Sequence, residues 1–379
     1  MSLRNNNQGS IVKPGFNALG AQTTTTTYQP YLYIWGANGT GQLGLGNTTS
    51  YSSPKQVGSL TTWSQVAAAA HNTITIKTDG SLWTWGGGGN GALASNSTAN
   101  RSSPVQVGTL TNWSKIANGR YHTISTKTDG TLWSWGQNDS GQLGDGTTTN
   151  RSSPVQVGAL TTWLNVAGGI YQSLAIKTDG TLWSWGVNAN GQLGHGNTTN
   201  RSSPVQVGAL TTWLNVASGR YFSIATKTDG TLWTWGYNGY GQLGSGNTTS
   251  RSSPAQVGAE TNWLNVACGD AVSIVTKTDG TLWNWGYNVL GQLGLGNADY
   301  NYSSPMQVGV LTNWSKPSSN GAHTVSTKLD GTIWSWGYNV DGRIGDGTTT
   351  MRLSPVQIGS LTTWLSIVGG YNYTVATRY

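Results

Sequence analysis

The chain has 379 residues, a formal net charge of +7 and only 9% charged residues, so its surface is polar but nearly uncharged, and solubility has to come from Ser, Thr, Asn and Gln. Its one cysteine, Cys268, excludes an internal disulfide and a cysteine-based metal cluster, and the absence of any run of Lys and Arg argues against nucleic acid as a partner. Met1 to Gly20 has no apolar signal-peptide core and no stretch approaches a membrane span, so synthesis in a reducing cytoplasm without a signal peptide is expected.

Residues 1–30 carry Asn5-Asn6-Asn7, Pro14-Gly15 and the run Thr23 to Thr27 without apolar periodicity, which reads as an extended or disordered N-terminal arm, either a frayed tail or a segment that docks on a neighbouring subunit. From Tyr31 to Tyr379 a single unit recurs every fifty residues. The Trp before the Gly of a Leu-Trp-x-Trp-Gly-like stretch falls at Trp35, Trp85, Trp135, Trp185, Trp235, Trp285 and Trp336, giving seven copies.

Each copy reads as four strands. In the one around Trp185, Trp163 to Ala167 is a short apolar run and Gln172 to Thr178 alternates in character. Asp179-Gly180 reads as a two-residue hairpin turn, Thr181 to Gly186 returns antiparallel, and Pro204 to Gly208 is a short outer strand led by its Pro. Such a four-stranded antiparallel blade cannot bury both apolar faces alone and must stack on its neighbours around an axis. The chain stops at Tyr373 to Arg378, half a hairpin, and the missing half stands at the other end in Tyr31 to Gly36. The expected fold is therefore all-β: residues 31–379 form a seven-bladed β-propeller whose ring is closed by pairing the N- and C-terminal strands.

Asp-Gly, Leu-Trp-x-Trp-Gly, Asn-x-x-Gly-Gln-Leu-Gly and Pro-x-Gln-Val-Gly, in seven copies over residues 31–379, resemble the regulator-of-chromosome-condensation repeat. The resemblance implies the same seven-bladed propeller and leaves function open, since members include a GTPase exchange factor that binds chromatin, a plant ultraviolet-B photoreceptor and a secreted inhibitor of β-lactamases. Every repeat here is 50 or 51 residues long, leaving no room for the exchange factor's inserted wedge. The photoreceptor's Gly-Trp-Arg-His-Thr aligns with Gly119-Arg120-Tyr121-His122-Thr123 and has no sensing Trp, and the family's His in that strand stands only at His122 and His323.

No catalytic constellation survives the repeat. The Asp of Lys-Thr-Asp-Gly is explained by its turn, and the loop position held by Asp145, His195 and Asp346 is Leu45, Ser95, Ser245 and Leu295 elsewhere. The expectation is a protein that is not an enzyme and uses no cofactor. The twenty Trp, all at repeat positions, read as packing between blades, with an exposed sugar-binding ladder as the competing interpretation.

Comparison of the copies separates scaffold from surface. Arg151 to Ala167 and Arg201 to Ala217 are identical, whereas two places vary. One follows Gly119 and its equivalents: Arg120-Tyr121, Ile170-Tyr171, Arg220-Tyr221, Asp270-Ala271 and Tyr371-Asn372. The other brackets the loop Asn and places Tyr237, Tyr240, Tyr287, Leu290 and Tyr338 on three consecutive blades. An aromatic group on a polar surface marks a partner site, so Arg120, Tyr121, Tyr171, Arg220, Tyr221, Tyr237, Tyr240, Tyr287, Leu290 and Tyr338 are the candidate partner-binding residues; the alternative is that these rings only cover the Trp layer. The repeated loop Arg (Arg101, Arg151, Arg201, Arg251, Arg352) reads as structural. The leading expectation is a binding or display propeller within a larger particle, such as a virus or phage structural protein at the virion surface tethered by its arm. A soluble protein-binding module of the inhibitor or exchange-factor kind is the alternative, and a carbohydrate-binding propeller is a third reading.

Overall fold

The computed structural model describes residues 30–379; residues 1–29, and with them nearly all of the expected arm, lie outside the described residues. Seven four-stranded antiparallel sheets follow one another around an axis. In the blade numbered three in chain order, the strands run Trp163–Gly168, Gln172–Lys177, Leu182–Gly186 and Arg201–Gln206 from the axis outward. Second strands such as Gln172–Lys177 are buried along their whole length, because both faces pack on neighbouring blades.

Two local expectations are corrected. The hairpin is a three-residue loop, Thr178-Asp179-Gly180: the Gly180 N–H donates to the Lys177 carbonyl at 3.0 Å, and the Lys177 N–H to the Thr181 carbonyl at 3.0 Å. Only Gly180 has positive φ, at 76°, as a type I turn closed by a left-handed residue requires. Asp179 stabilises that turn by accepting from the Thr181 N–H at 3.0 Å and from its hydroxyl at 2.6 Å. The outer strand begins at Arg201, not at Pro204. Arg201 pairs with Gly186 and Val205 with Ser184, with an irregularity between them, and Pro204 sits in that irregular stretch where its missing N–H removes no ladder bond.

The seventh sheet takes strands from both ends of the chain, in the order Tyr51–Gln56, Tyr31–Gly36, Tyr373–Arg378, Trp364–Gly369. Tyr31 pairs with Arg378 and Gly36 with Tyr373 without any register shift between, so the ring is closed inside a blade.

Blade-to-blade contact follows one rule. The loop of each blade offers a backbone carbonyl to the buried indole N–H of the next: Trp85 to Gln42 at 2.9 Å, Trp185 to Gln142 at 2.9 Å, Trp235 to Gln192 at 2.9 Å and, across the closure, Trp35 to Arg343 at 3.0 Å. Gly194 makes this approach feasible, since a Cβ there would stand 2.9 Å from the Trp235 Nε1. A second set of links joins the starts of the second strands. His122 bonds Ser173 at 2.9 Å, His323 bonds Thr374 at 2.9 Å, and Tyr373 donates to the Asn72 carbonyl at 2.6 Å.

Candidate functional site

The propeller has two unlike faces. On one, the tight hairpins and the connections between blades meet, as in the Trp213 N–H that donates to the Gly180 carbonyl at 3.1 Å. On the other, which we call the loop face, the inner turn after each first strand lies beside the long loop after each third strand. The Val187 N–H donates to the Tyr171 carbonyl at 2.9 Å, and the Tyr237 N–H to the Tyr221 carbonyl at 2.9 Å. The two stretches in which the copies disagree are therefore neighbours on one face, although they are separate in sequence.

The inner turns also contact one another around the axis. The Arg120 N–H donates to the Gly169 carbonyl at 3.1 Å, Arg220 to the Asp270 carbonyl at 3.0 Å, and Tyr371 to the Ala69 carbonyl at 3.1 Å. The Arg120 guanidinium crosses towards the seventh blade and lies 4.3 Å from the Tyr371 ring centroid and 5.3 Å from that of Tyr121, which itself leans on Tyr171 at 6.4 Å.

Between blades four and five the loops enclose a recess of about 400 Å³ lined by Arg220, Tyr221, Tyr237, Tyr240, Asp270 and Tyr287, among others. Tyr240 is its central wall, edge-on to Tyr237 at 6.1 Å and to Tyr287 at 4.9 Å, and it stays 39% exposed. The Arg220 guanidinium lies 5.1 Å from the Tyr221 ring. Burial holds the Asp270 carboxyl above the usual carboxylate range, against the pull of Arg120 and Arg220. Five of the ten sequence candidates line this one recess. Arg120, Tyr121 and Tyr171 form a second group nearer the axis. Leu290 is half-buried on the loop of the fifth blade, and Tyr338 turns to Arg343, whose guanidinium is 4.9 Å from its ring.

Asp270, Tyr371 and Arg343 are the members that sequence reasoning left off the site. The first two stand at the same repeat position as Arg120 and Arg220, which is the signal that could have found them. Several basic residues outside this region are engaged elsewhere. Arg151 pairs with Asp145 at 2.7 Å and Arg352 with Asp346 at 2.6 Å, so the loop Asp is a partner for the loop Arg. The hairpin Lys residues lie on indole faces, Lys227 at 3.5 Å from the Trp233 ring and Lys177 at 3.7 Å from that of Trp183.

Models of the regulator of chromosome condensation (RCC1) repeat match the chain seven times, at residues 31–76, 79–125, 129–176, 179–226, 229–275, 279–326 and 330–377. The chain belongs to this family. As an RCC1-repeat propeller it is similar in structure to human WBSCR16, with a TM-score of 0.83, 20% identity, and 92% of this chain and 98% of that chain covered. It is also similar to Prp20p from Saccharomyces cerevisiae, a structure described with that protein's binding to Gsp1p and histones (TM-score 0.81, 19% identity, 93% and 92% covered). The yeast protein bound to Kap60 gives the same score at 18% identity, with 100% and 96% covered. No curated protein matches the chain. Among the described residues, no helix is long and apolar enough to cross a membrane.

Proposed function

We propose that the protein is a non-enzymatic binding propeller that recognises a folded protein partner through its loop face, centred on the recess around Tyr240. The observation that carries this reading is that the residues in which near-identical copies differ come together there, as the exposed Tyr240 ring among half-buried tyrosines beside Arg220 and Asp270. Rigid aromatic rings with an Arg at their edge are what protein interfaces concentrate their energy in. Protein binding by the similar yeast propeller supports the same class of partner. Carbohydrate is less well served: the described Trp residues are buried or half-buried, and the half-buried ones, such as Trp233, lie beneath Lys.

The test is a Tyr240→Ala/Leu290→Ala double variant, assayed by quantitative affinity capture from the source organism beside wild type and a Leu329→Glu control at an exposed hairpin tip on the opposite face. The reading expects partners lost from the double variant alone, with a melting temperature within a degree or two of wild type. Unchanged capture, or a large loss of stability, would sink it.

A second reading places the propeller in a larger particle, such as a virion, with the N-terminal arm as tether. What favours it is direction: the chain joins the propeller at Tyr31, paired with Arg378 at the hairpin face, so a tether leaves from the side opposite the tyrosines. Incorporation of a variant lacking residues 1–29 into the particle would refute the tether.

A further inference from the structure

The hairpin face carries a feature that the repeat produces and the loop face does not use. Two residues beyond the Gly that follows the outer strand, six of the seven blades carry a leucine with its side chain half in water: Leu60, Leu110, Leu160, Leu210, Leu311 and Leu361, each 44–49% exposed. One per blade, they form a ring interrupted only at Glu260, whose carboxylate reaches Lys277 at 2.7 Å. Leu164, Leu214 and Leu264, on the first strands of three adjacent blades, are exposed as well. At three of the blade junctions the ring leucine forms one lip of a groove of roughly 310 to 510 Å³, floored by two Trp and edged by a Pro, as Leu210, Trp213, Trp233 and Pro254 do. Leucines standing beside Trp-floored grooves offer apolar surface that a docked segment can bury.

Charge and connectivity say what covers it. The hairpin tips present exposed carboxylates at Asp79, Asp129, Asp179, Asp229, Asp279 and Asp330, while the Lys of each hairpin is buried beneath. Residues 1–29 have the complementary composition: Arg4 and Lys13 with no acidic residue, and Leu3, Ile11, Val12, Phe16 and Leu19 as apolar side chains. The segment joins the propeller at Tyr31 on this same face, and 29 residues can reach up to about 95 Å when extended, at ~3.3 Å each. Attachment at the edge of the face gives it a high effective concentration over the leucines of its own chain.

We propose that the leucine ring and its grooves are the docking surface for residues 1–29 of the same chain. This goes beyond the loop-face reading and does not depend on it. An arm docked in this way has to be displaced before it can tether anything.

Cys268 is the chain's only cysteine and is buried, so Phe16→Cys in the full-length protein accepts a single nitroxide label. Leucine methyl spectra then read the position of the arm. The expected result is several-fold stronger paramagnetic broadening of the ring leucines than of Leu290 on the loop face, largely lost in a Leu160→Glu/Leu210→Glu background. Broadening that does not distinguish the two faces overturns the proposal. So does broadening seen only when labelled and isotope-enriched copies are mixed, which would put the arm on a second molecule.

Discussion

His122 shows what one residue does in a buried inter-blade link. Its ring is buried and bonded to Ser173, and burial pushes its pKa from 6.5 down to about 3. As pH falls through 6.5, the unfolded chain takes up a proton that the folded site refuses. Stability is therefore lost on acidification, by about 1.4 kcal/mol per pH unit from this one histidine, until pH nears 3. His323, lowered by burial and then by Arg343, acts in the same sense, whereas Asp270, with its raised carboxyl, acts in the opposite one. Gln172 occupies the same repeat position and reaches the Gly219 carbonyl at 3.0 Å, so His122→Gln is a substitution the scaffold already accommodates. Urea midpoints measured from pH 6 to 4.5 should fall less steeply for His122→Gln than for wild type; parallel slopes would mean that His122 is protonated in the fold.

At the scale of the element, two glycines, one in a connection between blades and one in a hairpin, separate backbone conformation from close approach. Gly158 and Gly180 both have positive φ, at 62° and 76°. A Cβ at Gly158 meets nothing within 4 Å, whereas one at Gly180 would stand 2.1 Å from the Thr211 carbonyl oxygen of the connection to the next blade. Gly158→Ala should cost about 1 kcal/mol for the left-handed conformation alone, and Gly180→Ala at least twice that, read by denaturant unfolding. Equal costs would show that the connection yields freely. Elements were legible in the sequence wherever a period of fifty was superposed on a period of two. What it hid was the loop length around Asp179, because Asp-Gly suits both a two-residue turn and the last two places of a three-residue one. The sequence grouped Tyr237, Tyr240, Tyr287 and Tyr338 on consecutive loops without showing that one of them would stand apart. Tyr240 and Tyr287 are neighbours because adjacent loops lean together, while Tyr338 is drawn away by Arg343. The approach of Arg120 to Tyr371 depends on how far the inner turns reach across the axis, which no repeat pattern records.

At the scale of the whole molecule, the seven indole-to-carbonyl links and the shared seventh blade make stability a property of the closed ring. Repeat arrays ordinarily lose stability one unit at a time when truncated. Deleting residues 373–379 removes one of the twenty-eight strands among the described residues. It also unpairs Tyr31–Gly36, breaks the Tyr373 bond to the Asn72 carbonyl and leaves two sheet edges open. The expected outcome is a melting temperature lowered by well over ten degrees with a broadened transition, measured by calorimetry. A small, still cooperative shift would show that six blades suffice.

That shared blade also sets a timetable. Tyr31 to Gly36 is synthesised more than three hundred residues ahead of its partner, Tyr373 to Arg378. At about 5–20 residues per second, the early strand waits on the order of twenty seconds to a minute with an unsatisfied edge. Every nascent chain therefore passes through a period of vulnerability to strand pairing with its polysomal neighbours, which ends only when Tyr373 to Arg378 has emerged.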